Sequence, residues 1–291
     1  MSRSPDARLY DPPMPADDDA TKTRPEQDGD TRVPELSYFF PAHNEAENIE
    51  PLVAEALEVL PRLAQRFEII AVDDGSRDGT AELADRLATE HPGVVRVIHH
   101  PTNLGYGGAL RSGLRGARFE LVAFTDGDRQ FRLEDLARLI ERIGQPASEA
   151  EPRKPDVVVG YRLKRADPTV RLVYARVYRF CLRVFFGLQV RDVDCACKLF
   201  RREALRGVRL ESNGAFLSAE LLIKLQSLGR RIVEVGVPHY ARTAGSASGA
   251  NPRVVLRAVR DFWRLRLRLW VNRSAALRRG TPVLDPTEGN R

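Results

Sequence analysis

From residue 36 onward, short apolar runs alternate with amphipathic stretches, and few folds accommodate that alternation. The runs at 36–40, 67–72, 94–98, 119–125 and 156–161 read as strands. Helices are expected over 45–65, 78–90, 105–117 and 133–143, opened by caps such as Asn44 and Asp78. Four consecutive strand–helix units predict an α/β fold, a Rossmann-like mixed, mainly parallel sheet with helices on both faces.

In such sheets ligands bind outside the carboxyl ends of the strands. Polar residues gather at three of those ends. The first strand runs into Pro41-Ala42-His43-Asn44-Glu45, the second into Asp73-Asp74-Gly75-Ser76, and the fourth into Asp126-Gly127-Asp128-Arg129-Gln130. The segment Asn103-Leu104-Gly105-Tyr106-Gly107-Gly108 has Leu110 where a dinucleotide fingerprint needs Gly, and it follows the third strand instead of the first. A dehydrogenase is disfavoured, and without a GxxxxGK[ST] loop so is a P-loop NTPase.

Asp126, Asp128 and Gln130 alternate after a buried strand, so three oxygen-bearing side chains can converge. Hard oxygen donors suit Mg²⁺ or Mn²⁺, ions that share their coordination with substrate phosphates. A solvated turn would use the same residue types. Asp73 and Asp74 can cap a helix or accept hydrogen bonds from a nucleotide; of the two, Asp74 is the better candidate for the nucleotide.

Five segments in order, PAHNEAENI, VDDGSRDGT, NLGYGGALRSG, TDGDRQF and DVDCACKLFRR, resemble successive motifs of inverting family 2 glycosyltransferases of the GT-A fold. Within that family they are most similar to the polyprenyl-phosphate hexosyltransferases, the dolichol-phosphate mannose and glucose synthases. The resemblance runs over roughly residues 35 to 250. It implies that Pro41, His43, Glu45, Val72 and Asp74 line a nucleoside pocket, and that Asp126, Gly127, Asp128 and Gln130 hold the diphosphate of a UDP- or GDP-hexose and its metal. His43 stands where many relatives carry Tyr or Phe, and Gly127 where Ala is usual.

The acceptor decides whether a base is needed. A sugar hydroxyl must lose a proton as it attacks, whereas a lipid phosphate is already anionic and needs positioning and charge stabilisation. By the same resemblance Arg162 and Arg242 match acceptor-phosphate ligands, with Ser248 and Lys198 assisting, and polyprenyl phosphate is the expected acceptor. Glu220 falls roughly where hydroxyl-glycosylating relatives carry a base, but a positioning or arginine-pairing role is the favoured expectation for it. Two other readings stay open: a transferase acting on a hydroxyl with Glu220 or Asp194 as base, and a sugar-nucleotide-binding protein without catalysis.

Charge and hydropathy place the rest. Residues 1–33 carry eight acidic against five basic residues, so the remainder holds about +9 of an overall +6. That tail, polar and rich in Pro and Asp, is expected to be disordered and has no apolar signal region. A transferase domain over 34–250 and a basic amphipathic helix and tail over 251–291 follow. Cys181, Cys195 and Cys197 have no zinc spacing and are expected as reduced core residues. No run reaches the roughly eighteen apolar residues of a membrane span. Two segments, 170–188 with Arg176, Arg179 and Arg183, and 252–270 with Arg253, Arg257, Arg260 and Arg264, read as amphipathic helices with cationic stripes. They suit a cytoplasmic protein held peripherally on an anionic inner leaflet; no nucleic-acid reader motif accompanies them.

Overall fold

The computed structural model describes residues 32–146, 152–163, 169–241 and 252–284. All fall in one compact unit, Arg32–Arg291. The expectations for Arg242 and Ser248, and for the tail before Arg32, lie outside the described residues.

Strand β1 (Val33–Ala42) is the hydrophobic axis, with Leu36, Tyr38, Phe39 and Phe40 buried. It pairs in parallel with β2 (Ala64–Asp73) on one edge and β4 (Leu121–Phe124) on the other. Beyond β2 lies β3 (Val95–His99), again parallel. On the other side follow β6 (Lys198–Arg201), antiparallel to both neighbours, β5 (Val157–Arg162) and β8 (Ile232–Val237), parallel to β5. Among the described residues the sheet therefore has seven strands in the order β3-β2-β1-β4-β6-β5-β8. A ribbon of β7 (Arg209–Leu210) and β9 (Thr281–Pro282) stands apart. The five expected strands and four expected helices are all present; the antiparallel β6 makes the sheet mixed.

Helices α1 (Ala46–Leu63) and α2 (Thr80–Glu90) connect β1 to β2 and β2 to β3. Helix α3 (Tyr106–Gly116) carries the chain back past β1 to β4. Parallel crossovers are right-handed, so reversing the direction of travel puts α3 on the face opposite α1 and α2. The reversal lies between β1 and β4, and it opens a crevice at their carboxyl ends. Helix α4 (Leu136–Gly144) follows a 3₁₀ turn (Leu133–Asp135) after β4. The second half adds α5 (Thr169–Phe186), α6 (Leu217–Ser227), α7 (Pro252–Val271) and the short α8 (Arg273–Leu277).

The expected caps are exchanged. Asp78 Oδ2 accepts from Ala46 N and Thr80 Oγ1 from Glu45 N, at the start of α1, while Asn44 Oδ1 accepts from Arg77 N. Because Ala42 and Asp73 are neighbours across the β1–β2 ladder, the two loops leave side by side and cap each other's elements. Asp78 also accepts from Thr80 N, serving its own helix. Cys195 and Cys197 are buried and Cys181 half-buried, all as free thiols; burial pushes the Cys195 thiol up to about 12.

Helix α3 reaches the sheet through Gly113, where an added Cβ would lie 2.1 Å from the Phe39 ring. Gly113→Ala is expected to lower stability by about 1–3 kcal/mol, seen as an earlier urea midpoint with unchanged slope; an unmoved midpoint would contradict this packing.

At the end of β3, His99 Nδ1 faces Asp73 Oδ2 at 3.0 Å and its Nε2 faces Asp85 Oδ1 at 2.9 Å. Both nitrogens can donate only in the imidazolium, so Asp85 and then Asp73 raise His99 above its ordinary 6.5. Burial would raise Asp73, but bonds from Ser76 and His99 outweigh it and hold it below 3.8. The histidine contribution is complete below 6.5 and lost as pH rises through its raised value; that of Asp73 is present above 3.8 and lost as pH falls. His99→Ala should therefore destabilise more at about pH 5.5 than at about pH 8.5 in urea unfolding, and an equal loss at both would contradict the cluster.

Candidate functional site

Three loops meet at the crevice, and their ends are tied before any ligand arrives. Asp74, nearly fully buried after β2, accepts from Leu104 N at 2.8 Å, Gly105 N at 2.9 Å and His100 Nδ1 at 2.7 Å. His100 continues to Ser112 Oγ at 2.8 Å. The expected nucleoside ligand thus spends both carboxylate oxygens on the loop between β3 and α3, fixing that loop's shape. His43 is exposed; its Nδ1 donates to the Asp74 carbonyl at 3.0 Å, which settles the tautomer and points the ring along the loop. Glu45 Oε2 accepts from Asn48 Nδ2 at 2.6 Å, and Pro41 is half-buried beside it at the end of β1. Val72 is fully buried inside β2, so its side chain has no surface to offer a nucleoside.

The end of β4 carries the acidic pair. Asp126 is half-buried, and Tyr106 donates its hydroxyl proton to Asp126 Oδ1 at 2.9 Å. Asp128 is 6 % exposed and accepts from Gln130 N at 3.1 Å. Gly127 lies where an added Cβ would come 2.6 Å from the Pro41 carbonyl oxygen, which accounts for glycine between the two aspartates. Arg129 turns through the left-handed region, φ 57°, to bring Gln130 round. Gln130 Nε2 donates to the Tyr240 carbonyl at 3.2 Å, and Tyr240 N to the Gln130 carbonyl at 3.0 Å, so Gln130 is tied to the strand leaving β8. Among the described residues no three His, Cys, Asp or Glu side chains are arranged to hold a metal by themselves. Two carboxylates and an amide fit a hard cation that takes its other oxygens from a diphosphate.

On the far side, Arg162 at the end of β5 grips Asp192 in a bidentate pair, Nε to Oδ2 at 2.6 Å and Nη2 to Oδ1 at 2.8 Å. Both are largely buried, so the guanidinium is held in one plane. Lys198 is buried on β6, donating to the Cys195 carbonyl with its Nζ 5.3 Å from the Phe124 ring. Burial lowers its pKa against the pull of Cys195, Asp194, Asp126 and Asp192. It supports the acidic cluster from beneath and is too enclosed to reach out to an acceptor.

Glu220 holds main chain and pairs with a lysine, where an arginine was expected. It is buried in α6, its Oε1 accepting from Glu211 N at 2.9 Å and its Oε2 from Ser212 N at 2.8 Å, with Lys224 Nζ 2.8 Å away. Its partners are a lysine and two amides, and a carboxylate so engaged and enclosed does not serve as a base. Asp194, by contrast, is exposed and close enough to raise the phenols of Tyr106 and Tyr178, both already raised by burial. Tyr106, His100 and Asp192 were not singled out from sequence; Tyr106 lies within the Asn103–Gly108 motif and His100 just before it, and Asp192 opens DVDCACKLFRR, though nothing in the sequence marks it as the partner of Arg162.

The two expected amphipathic segments form helices α5 and α7. On α7 the exposed residues Val255, Val259, Trp263, Leu267 and Trp270 form an apolar stripe, with Arg257, Arg260 and Arg264 beside it. On α5 the corresponding exposed residues are Tyr174, Val177, Phe180 and Val184, with Arg176, Arg179 and Arg183 between them. Phe185 meets Trp263 edge-on at 5.1 Å and Phe186 meets Phe262 at 4.9 Å, so the helices pack together. Beside the arginines, the outermost side chains of this surface are aromatic and aliphatic. No described helix is long and apolar enough to cross a membrane.

Comparison with known proteins agrees with this geometry. A sequence model described as glycosyl transferase family 2 matches residues 37–209. Glycosyltransferase AglD of Haloferax volcanii is 32% identical over 276 residues, covering 87% of this chain and 43% of that protein. Polyprenol monophosphomannose synthase of Mycolicibacterium smegmatis is 30% identical over 244 residues, covering 79% of this chain and 87% of that one. The chain spans less than two thirds of the length of several curated relatives. In fold it is similar to glucosyl-3-phosphoglycerate synthase from Mycobacterium tuberculosis, crystallised with Mn²⁺, UDP and glucosyl-3-phosphoglycerate, with TM-score 0.52, 20% identity and coverage of 84% of this chain and 80% of that one. By sequence, the chain belongs to glycosyltransferase family 2.

Proposed function

We propose that the protein transfers a hexose from a UDP- or GDP-sugar to polyprenyl phosphate, with inversion at the anomeric carbon. The donor half rests on Asp126 and Asp128 at the switch-point crevice, with His43 and Glu45 on the nucleoside side and Asp74 shaping the loop between them. Asp126, Asp128 and Gln130 would hold a divalent ion, which when bound neutralises the charge of the departing diphosphate. An acceptor phosphate oxygen forms the new bond to the anomeric carbon as the bond to the diphosphate breaks, and the nucleoside diphosphate leaves. No proton has to be removed from the nucleophile, consistent with a Glu220 carboxylate committed to amides and Lys224. Arg162, held in plane by Asp192, presents guanidinium charge on the acceptor side. Arg242 and Ser248 belong to the same role by resemblance.

The observation that carries the lipid acceptor is the paired apolar stripe of α5 and α7. Side chains such as Trp270, 74 % exposed, and Tyr174, 70 % exposed, are placed outward between arginines. This pattern suits a helix lying in the interface of an anionic leaflet, with apolar side chains inserted and guanidinium groups at the headgroups. The name of the mycobacterial relative, a polyprenol monophosphomannose synthase, supports the same acceptor class. The exposed Asp194 favours a second reading, in which it deprotonates a hydroxyl acceptor.

The deciding assay is transfer of radiolabel from UDP- and GDP-hexoses into an organic phase containing polyprenyl phosphate, with Mn²⁺ or Mg²⁺ and with chelator. Label is expected in the lipid only with metal, and Asp128→Asn should reduce it by about a hundredfold or more. Nucleotide release with no lipid label would favour the Asp194 reading. Separately, Trp263→Gln/Leu267→Gln/Trp270→Gln should weaken co-sedimentation with anionic vesicles by about tenfold or more while leaving UDP binding unchanged; undiminished sedimentation would contradict the interfacial role of α7.

A further inference from the structure

The first turn of α3 is held on several sides at once. Besides the bonds from Leu104 N and Gly105 N to Asp74, Gly107 N donates to the Asn213 carbonyl at 3.0 Å. Arg111 Nη2 donates to Asn213 Oδ1 at 2.7 Å, tightening the same junction. Gly105, at φ +83°, and Gly107 would each bring an added Cβ to 2.8 Å from the Asn213 backbone, so α3 and the 211–214 loop touch main chain to main chain. Tyr106 stands between those two glycines. Its Cα cannot shift without breaking this junction, and its hydroxyl reaches across to the end of β4.

We propose that Tyr106 is a positioning residue for the Asp126 carboxylate, fixing the orientation in which that carboxylate meets the donor diphosphate and its ion. The proposal rests on the donor reading given above. The chemistry of the donor explains why a phenol is suited to the task. A lysine or arginine at this position would orient Asp126 but also add a positive charge beside it, whereas a neutral hydroxyl orients it and adds none. Asp128 is oriented by another neutral donor, the Gln130 amide. A phenol carries its proton throughout the neutral range and so stays a donor there. The hydroxyl also bridges the β3–α3 loop, where Asp74 is anchored, to the end of β4. The arrangement of one loop thereby sets the geometry of the other.

The test is Tyr106→Phe in the full chain, which keeps the ring and removes only the hydroxyl. Mn²⁺ binding is followed by electron paramagnetic resonance with saturating UDP, UDP binding without metal by calorimetry, and turnover by the lipid assay. The expected result is a Mn²⁺ dissociation constant raised about tenfold and kcat lowered by a similar factor, with metal-free UDP affinity and the KM for polyprenyl phosphate unchanged. Equal weakening of metal-free UDP binding would make Tyr106 a merely structural residue and overturn the proposal. Unchanged Mn²⁺ affinity in Tyr106→Phe, alongside its loss in Asp128→Asn, would overturn the proposal and leave the donor reading intact. A wild-type chain that retains no Mn²⁺ with either UDP or GDP would overturn both.

Discussion

Strand β1 is buried on both faces and paired on both edges, so most of its side chains can only pack. What it offers a ligand is its carboxyl end. Because the chain leaves β1 toward β2 and later returns on the other side through α3, the helices that would cover this end diverge to opposite faces. The crevice is therefore a product of connectivity, and the loops after β1, β2 and β4 have no other place to meet. Gly127 shows how close the meeting is, since even a methyl group there would strike the Pro41 carbonyl oxygen.

A crevice between loops is useful only if the loops hold their shape, and here the stiffening is polar. Asp74 illustrates the principle: a buried carboxylate is costly unless its oxygens are satisfied, and two amides and an imidazole satisfy them. The same bonds impose a conformation on residues 103–105 that their own sequence does not dictate. Helix α3 inherits its starting position from that loop, and Tyr106 carries it on to Asp126. Asp74, expected to touch the nucleoside, also acts on the site through the backbone it holds.

The elements of the first half were legible because periodicity survives tertiary context: an alternation of strand and helix leaves few choices once both faces of the sheet must be covered. The antiparallel β6 was not legible, being four residues whose direction depends on partners distant in sequence. The exchanged caps at Asn44 and Asp78 escaped for the same reason, since each satisfies a main-chain amide of the neighbouring segment. Motif resemblance located the acidic pair at the end of β4, but it does not distinguish a side chain that lines a pocket from one beneath it. Val72, Lys198 and Glu220 are beneath, and only packing reveals this. In α7 the spacing of arginines was legible, yet the apolar side chains of the helix divide between an inner set, Phe262 and Leu265, and an outer stripe according to where α5 lies.

That outer stripe is not mechanically remote from the crevice. Ser212 Oγ donates to Asp261 of α7 at 3.0 Å, Arg268 of α7 pairs with Glu211, and Glu220 accepts from the amides of both 211 and 212. One residue further on, Asn213 receives Gly107 N at the start of α3. Helix α7 is thus joined to the turn bearing Tyr106 by a short run of hydrogen-bonded main chain with a buried carboxylate at its centre. A signal between two sites would require an element with two discrete arrangements, and the main-chain contact of Gly105 and Gly107 with Asn213 leaves little room for a second. The more economical reading is geometric. If α7 rests on a lipid surface, this rigid path fixes the height and tilt at which the crevice faces that surface. An acceptor phosphate at the headgroup level then approaches the anomeric carbon from a direction set by the fold, and orientation of that kind lowers a barrier without any group having to move.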